Sequence, residues 1–220
     1  TPRFNIAPTQ LVPVITQADG RRILSQYQWG LVPFWVKDLK ASRPMINARS
    51  ETLSEKPFFK TALSRRRCLI PADGFFEWQA PPPGQTKKQP LWIHLKNDGD
   101  PEAGSLHPDL FPGAGKHKLF AFAGLFDCWK GGETPLYTCT IITTSANEAI
   151  SPVHERMPVI LSPDGERDWL DESNNDPADL LKLLIPAPDN LIQMFPVSTK
   201  VNSAKAQGED LILPLHTSPA

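Results

Sequence analysis

The stretch Ala72-Asp73-Gly74-Phe75-Phe76-Glu77-Trp78 decides how the rest of this sequence is interpreted. It follows an apolar run, Cys68–Pro71, and its aromatic composition is typical of a β-strand. Side chains alternate between the two faces of a strand. We therefore predict that Phe75 and Glu77 share one face and that Phe76 and Trp78 share the other.

Glu77 has two interpretations in this setting. A carboxylate among aromatic side chains is costly to keep charged and unpaired, so burial would raise its pKa and suit it to acid or base catalysis near neutral pH. The alternative is a solvated carboxylate at the edge of an ordinary strand, which is the commoner situation. The stretch alone favours the solvated edge, and other parts of the chain have to decide.

The composition predicts one large domain rich in short strands. The chain has 220 residues, of which 40% are hydrophobic, and 24 are proline. So many prolines argue against a bundle of long helices and for strands joined by turns. We predict an α+β fold, with mainly antiparallel strands in a curved, barrel-like sheet and short peripheral helices. Residues 97–118, rich in Pro, Gly, Asp and His, are predicted to be an insertion loop.

Charge and cysteine content narrow the function classes. The formal net charge of −1 gives no overall field that attracts nucleic acid, so a nucleic-acid site requires a local basic groove. No apolar run is long enough to span a bilayer and no signal-peptide pattern is present, so we expect a cytoplasmic protein. If the organism is a bacterium, we expect the protein to associate with the nucleoid. We also expect it to be a monomer. Cys68, Cys128 and Cys139 show neither a CxxC pair nor metal-ligand spacing. The three cysteines are expected to be buried thiols. We expect the protein to use no metal and no cofactor.

Two segments carry polar or aromatic side chains with binding potential. Trp29 and Trp35 flank a turn and are either core residues or a platform on which exposed bases stack. In the segment Pro44–Thr52, Asn47 can donate and accept hydrogen bonds. Arg49 would share its face in an extended chain and could bind a phosphate. Alternatively, this segment only leads into a helix whose N-cap is Ser50 or Thr52.

His154 and the run Arg65–Arg67 each have a functional and a structural interpretation. His154 lies between Pro152 and Pro158, and a rigid backbone is a good support for a proton-transfer group. The alternative is a loop histidine that bonds a backbone carbonyl. Arg65–Arg67 follows a predicted helix, where positive charge either complements the helix dipole or forms a phosphate-binding patch.

Several motifs, taken together, resemble those of the SRAP family, the SOS response-associated peptidase domains that shield abasic sites in single-stranded DNA. The matching segments are Arg3–Pro8, Trp29–Pro33, Ile46–Thr52, Arg67–Trp78, Phe122–Leu125, Thr143–Thr144 and Val153–Pro158, with Val197–Ser198 and Val201–Asn202 near the end. The resemblance runs from Arg3 to about Leu213. It is the reason for preferring the functional interpretation of Glu77 and His154.

The resemblance implies a mechanism and a set of site residues. In the family, an N-terminal cysteine, exposed by removal of the initiator Met, captures the aldehyde of an abasic site as a thiazolidine. By position, Asn47 would orient the reacting groups, Glu77 would act as acid and base near the amine, and His154 would move protons at the deoxyribose ring oxygen. The implied partner is single-stranded DNA with abasic sites, and the implied activities are autopeptidase and AP lyase. The implied DNA-binding residues are Arg3, Trp29, Trp35, Arg49, Thr144 and Arg156.

One feature departs from the family pattern. The sequence starts at Thr1, without the family's Cys-Gly-Arg start. We expect that an N-terminal segment containing the nucleophilic cysteine precedes it. The alternatives are a relative that cannot crosslink, a non-covalent single-stranded DNA-binding module, and a peptidase that acts on other proteins.

Overall fold

A computed structural model describes residues 2–39, 42–96 and 118–215. The predicted insertion 97–118 lies outside the described residues, except for Lys118. The strands are β1 (Leu11–Ala18), β2 (Arg21–Trp29), β3 (Asn47–Arg49), β4 (Arg67–Ala72), β5 (Phe75–Gln79), β6 (Gln89–Leu95), β7 (Phe120–Trp129), β8 (Leu136–Ser145), β9 (Arg156–Pro158), β10 (Ile160–Leu161) and β11 (Ile192–Pro196). The helices are α1 (Pro57–Arg65), α2 (Pro163–Leu170) and α3 (Pro177–Lys182), with 3-10 helices at Ser50–Thr52, Asp189–Leu191, Thr199–Asn202 and Glu209–Ile212.

Five strands form a closed ring of hydrogen bonds. The pairs β4–β1, β1–β2, β2–β8, β8–β7 and β7–β4 follow one another around this barrel, and all but β2–β8 are antiparallel. Strands β3, β9 and β10 extend the barrel at its margins. The predicted α+β class and the curved, mainly antiparallel sheet are thus confirmed.

Strands β4 and β7 of the barrel are apolar on both faces because each face meets a separate core. In β7, Phe120 and Phe122 point into the barrel, whereas Ala121 and Ala123 pack against the outer helices. Strand β4 divides in the same way, with Cys68 inside and Leu69 outside. This double burial explains the continuous apolar runs that the sequence shows at both strands.

A second sheet, in the order β11–β6–β5, carries the stretch with Glu77. The predicted alternation is confirmed, because Phe75 packs into the barrel core while Phe76 and Trp78 pack into a third cluster around Trp92. Gly74 is needed where β5 begins, since a Cβ atom there would lie 2.1 Å from the Trp92 ring. The aromatic residues therefore fix the face on which Glu77 lies.

Local signals account for most element boundaries. Asp19 and Gly20 both have positive φ, as the predicted two-residue hairpin turn requires. Proline opens all three α-helices, and the side chains of Ser162 and Asp176 accept hydrogen bonds from the first turns of α2 and α3. Among the described residues, no helix is both long and apolar enough to cross a membrane.

Candidate functional site

The last residues of β8 lie between two short strands that carry predicted site residues. Thr143 pairs with Arg49 of β3 on one side and with Pro158 of β9 on the other. Because β3 is extended, Asn47 and Arg49 both lie on its exposed face, while Ala48 is buried. The extended interpretation of this segment is therefore the correct one, and Ser50 and Thr52 do not cap α1, whose N-cap is Lys56.

The Glu77 carboxyl is half-buried on the Phe75 face of β5. Burial raises its pKa, and this effect outweighs the opposing influences of the nearby His154, the Trp78 backbone N–H and Lys88. Glu77 is thus neither a fully solvated strand carboxylate nor a fully buried one. The electrostatic interaction also shows that the fold brings Glu77 and His154, 77 positions apart in the sequence, within reach of each other's charge.

The His154 ring is exposed and is oriented by backbone groups of Arg156. The Arg156 N–H donates to His154 Nδ1 at 3.0 Å, and the Arg156 carbonyl oxygen lies 3.1 Å from the same nitrogen. A neutral ring accepts at Nδ1 and keeps its proton on Nε2, whereas a protonated ring can donate from Nδ1 to the carbonyl. Both charge states therefore have a backbone partner. This contact fits the predicted backbone-bonded histidine and the predicted proton-transfer group equally well.

Arg156 is held inside the protein by an ion pair. Its guanidinium donates to both carboxylate oxygens of Glu51, at 2.7 and 2.9 Å, and to the Thr143 carbonyl oxygen at 2.7 Å. Such two-point pairing with a carboxylate is geometrically specific. Any phosphate that Arg156 binds would have to share this cation with Glu51.

The remaining predicted DNA-binding residues differ in how available they are. The guanidinium of Arg49 is exposed and forms no ion pair or hydrogen bond with another described residue. Trp35 is 53% exposed and packs edge-on against Phe34 and Phe58. By contrast, the Arg3 guanidinium donates to the Leu11 carbonyl oxygen and, at 2.6 Å, to Gln10.

Trp29 and Thr144 lie closer to the core than Arg49 and Trp35 do. The Trp29 indole is half-buried, and its Nε1 donates to the Ile46 carbonyl oxygen at 2.8 Å, immediately before Asn47. Thr144 is buried and pairs with Met157 of β9. Their roles in DNA binding stay predictions.

Sequence reasoning assigned no role to several polar residues that shape this region. Glu51 forms an ion pair with Arg156, which lies 105 positions further along the chain. The residues around Glu51 in the sequence do not indicate so distant a partner. Asn202 accepts a hydrogen bond from the Trp78 indole at 2.7 Å, beside Glu77. The buried Asn5 carboxamide donates to the carbonyl oxygens of Val201 and Ser203 at 3.1 and 3.0 Å, which ties the N-terminal segment to the loop that follows β11.

The three cysteines lie on barrel strands and differ in burial. Cys68 and Cys139 are buried, and burial raises the pKa of both thiols, that of Cys139 to about 12. A thiol with so high a pKa is a poor source of the reactive thiolate. Cys128 is half-buried rather than fully buried as expected. Within the described ranges, no group of three or more His, Cys, Asp or Glu side chains is arranged to hold a metal ion.

Comparison with known proteins identifies the family. The family model described as SOS response associated peptidase (SRAP) matches residues 1–204. The chain belongs to the SRAP family. The abasic site processing protein YoqW of Bacillus subtilis (strain 168) is 42% identical over 212 residues, covering 96% of this chain and 85% of that protein. The abasic site processing protein HMCES of Gallus gallus is 37% identical over 230 residues, covering 97% of this chain and 66% of HMCES.

The fold is also similar to that of solved structures. A crystal structure of a protein from Bacteroides thetaiotaomicron aligns with a TM-score of 0.74 at 25% identity, covering 94% of this chain and 82% of that protein. This similarity and the SRAP match agree with the mixed α+β architecture.

Proposed function

We propose that this SRAP domain binds abasic sites in single-stranded DNA and that the intact protein captures them covalently through an N-terminal cysteine. The main observation behind this proposal is the Glu77 carboxyl, whose pKa is raised by burial beside His154. Paired ionisable groups whose surroundings shift a pKa are a mark of functional sites. The names of the relatives, abasic site processing proteins, support the same substrate.

The proposed capture is a condensation that needs proton transfer at two atoms. The α-amine and the thiol of the cysteine each add to the aldehyde carbon, so that one C–N and one C–S bond form and the carbonyl oxygen leaves as water. Glu77 would accept a proton from the amine and return it to the departing oxygen. Two nucleophiles on one residue favour ring closure because they act at high effective concentration.

His154 and Asn47 would act at neighbouring atoms. An abasic site is mostly a closed deoxyribose, and opening it requires a proton at the ring oxygen. We assign that proton transfer to His154, whose neutral and charged forms both have a backbone partner. Asn47, on the exposed face of β3, would orient the reacting groups. Removal of the initiator Met and AP-lyase activity would use the same acid and base.

The DNA itself would be held by positive charge and aromatic rings. Arg49 is the best candidate for a phosphate contact because its guanidinium is exposed and not paired within the described residues. Trp35 and Phe34, which are 53% and 62% exposed, present aromatic faces on which an unstacked base can rest. Trp29, Thr144 and Arg156 would support this surface from positions nearer the core, and the exposed Arg3 would support it from the segment that precedes β1.

A non-covalent single-stranded DNA-binding module is the second candidate function. The exposed Arg49 and Trp35 favour it, because neither needs a nucleophile in order to bind DNA. A peptidase that acts on other proteins has less support, since burial raises the pKa of the Cys68 and Cys139 thiols.

A denaturant-resistant band shift would test the proposal. The full-length protein with its native N-terminus is incubated with single-stranded DNA that carries one abasic site, and the products are separated after boiling in denaturant. A matched oligonucleotide with a tetrahydrofuran residue, which has no aldehyde, is the control. We expect a stable adduct with the abasic DNA alone. Equal non-covalent binding of both oligonucleotides without an adduct would favour the second function.

We expect Arg49→Ala to weaken binding to single-stranded DNA and to reduce its salt dependence. Loss of one phosphate contact lowers the slope of log K against log salt concentration by about 0.7 for a single strand. Fluorescence anisotropy across a salt series would measure both effects. Arg21→Ala, at the exposed hairpin turn between β1 and β2, is the matched control and should leave the slope unchanged. An unchanged slope for Arg49→Ala would contradict the phosphate contact.

A further inference from the structure

The ion pair between Glu51 and Arg156 connects two parts of the candidate site. Glu51 lies in the 3-10 helix directly after β3, the strand of Asn47 and Arg49, and Arg156 opens β9, two residues after His154. The Nη1–Oε1 and Nη2–Oε2 distances are 2.7 and 2.9 Å. The Arg156 side chain is 17% exposed and the Glu51 side chain is 50% exposed, so the arginine end of the pair is the end that is shielded from solvent.

Contacts on β8 complete the support of Arg156. Nη2 also donates to the Thr143 carbonyl oxygen at 2.7 Å and lies 3.3 Å from its hydroxyl oxygen. Thr143 is itself paired with Arg49 across the sheet. The Arg156 guanidinium is therefore fixed by Glu51 from one element and by Thr143 from another, and its backbone is paired with Ser145 of β8.

The backbone of Arg156 is what orients the exposed His154 ring. The ring nitrogen Nδ1 accepts from the Arg156 N–H at 3.0 Å. While this bond is formed, the neutral ring carries its proton on Nε2, the nitrogen that is free to face a substrate. The Arg156 carbonyl oxygen lies 3.1 Å from Nδ1, so a small shift of the Arg156 backbone would favour the second tautomer, in which Nδ1 donates to that oxygen.

We propose that Glu51 is a positioning residue that fixes the tautomer and orientation of His154 through Arg156. The effect of Glu51 on DNA chemistry rests on the function proposed above. Its effect on the tautomer and orientation of His154 concerns the free protein. Removing the Glu51 charge replaces a two-point ionic contact with, at best, one neutral hydrogen bond. Arg156 would then be held by Thr143 alone among these contacts, and His154 would sample more than one orientation.

The pH range in which this support operates follows from the charges around it. Hydrogen bonding to Arg156 lowers the pKa of the Glu51 carboxyl, so the ion pair persists across the neutral range and is lost only on acidification. Glu77 from β5 interacts electrostatically with His154, and the charged residues Glu155 and Arg156 directly follow His154 in the chain. The positive charge of Lys88 interacts with Glu77 and tends to lower the pKa of its carboxyl.

Nitrogen-detected NMR of the imidazole rings tests the proposal on the free full-length protein. Long-range 1H–15N correlation spectra, recorded over a pH series, report the tautomer and the titration of each histidine. His154→Gln identifies the signal to be followed. We expect the Nε2–H tautomer in the wild-type protein and mixed tautomers, with a displaced titration midpoint, in Glu51→Gln. Glu51→Asp should recover part of the wild-type spectrum, whereas Glu55→Gln, an exposed residue four positions further on, should not change it.

A wild-type tautomer and midpoint in Glu51→Gln would overturn the proposal. A kinetic arm then examines the link to DNA chemistry, because the proposed function assigns proton transfer at the deoxyribose ring oxygen, in ring opening and in reversal, to His154. Glu51→Gln should slow reversal of the adduct by about ten-fold. A wild-type reversal rate in Glu51→Gln would remove the link to chemistry. If the wild-type protein forms no adduct, the proposed function fails, and the NMR result still decides whether Glu51 positions His154.

Discussion

Glu77→Gln is expected to slow covalent capture of an abasic site by about 10²–10⁴-fold, the usual contribution of a general acid or base. Glutamine keeps the shape and hydrogen-bonding capacity of the side chain but cannot exchange a proton at working pH. The half-buried position on β5 should be retained, so DNA affinity should change little. Single-turnover crosslinking and fluorescence anisotropy would measure the two quantities separately.

The same substitution should make the folded protein more stable at neutral pH. Because burial raises the pKa of the Glu77 carboxyl, the folded state binds its proton more tightly than the unfolded chain does. Wild-type stability therefore decreases as pH rises from the unfolded glutamate value, about 4.3, through the raised folded pKa. We expect the stability of Glu77→Gln not to decrease over this pH range. Below this range, the difference in unfolding free energy between Glu77→Gln and the wild-type protein should become smaller.

The matched control for Glu77 is Glu148→Gln, which changes an exposed carboxylate in the turn before His154. It should leave both the capture rate and the pH dependence of stability unchanged. A wild-type capture rate in Glu77→Gln, in a folded protein that binds DNA normally, would show that Glu77 is not the acid or base.

Arg67→Met is expected to reduce the free energy of unfolding by about 3–5 kcal/mol, the range seen when one partner of a buried charged network is removed. Arg67 is 7% exposed, and among the described residues its guanidinium donates to backbone carbonyl oxygens. The acceptors are Leu63 and Ser64 at the end of α1, Trp169 and Asp171 at the end of α2, and Asn174, at 2.6–2.9 Å. Methionine would leave these oxygens without their donor while roughly filling the space.

Thermal and urea unfolding of three variants would separate the possible causes of this loss. Arg67→Lys keeps the charge but not the five-donor fork, so it should also destabilise the protein, though less than Arg67→Met. Arg65→Met, an exposed residue two positions earlier in the same basic run, should change the unfolding free energy by less than about 0.5 kcal/mol. If Arg67→Met and Arg65→Met were equally mild, the buried network would not stabilise the fold.

Arg67 also decides between the two interpretations of its basic run. Its position at the ends of α1 and α2 agrees with the prediction of positive charge at a helix C-terminus. Arg66 forms an ion pair with the buried Asp127 at 3.4 Å. These two arginines are therefore occupied within the protein, and a phosphate-binding patch formed by all three does not fit the structure.

Regular elements with strong local signals could be predicted from the sequence. The hairpin at Asp19–Gly20, the strand around Glu77 and the helices that start at Pro163 and Pro177 all lie where composition indicates them. The end of the chain was harder to predict. The apolar residues from 194 to 201 predict a final strand, but β11 ends at Pro196 and Thr199–Asn202 forms a 3-10 helix that begins at a Ser198 cap. Residues 145–148 predict a cap that opens a short helical turn. Ser145 ends β8, and Asn147 caps the turn, because its side chain accepts a hydrogen bond from the Ile150 N–H at 3.0 Å and its carbonyl oxygen accepts from the Ser151 N–H at 2.9 Å.

The sequence by itself determined the family, the α+β class, and the face of β5 on which Glu77 lies. These properties follow from local periodicity, turn residues and motifs that are contiguous in the chain. The tertiary structure alone decided that Glu77 is half-buried near His154, that Arg67 is enclosed by carbonyl groups, and that Arg156 is paired with Glu51. The reason is physical: a pKa, an ion pair and a buried donor all depend on groups that are distant in sequence, and only the tertiary packing of strands and helices brings them together.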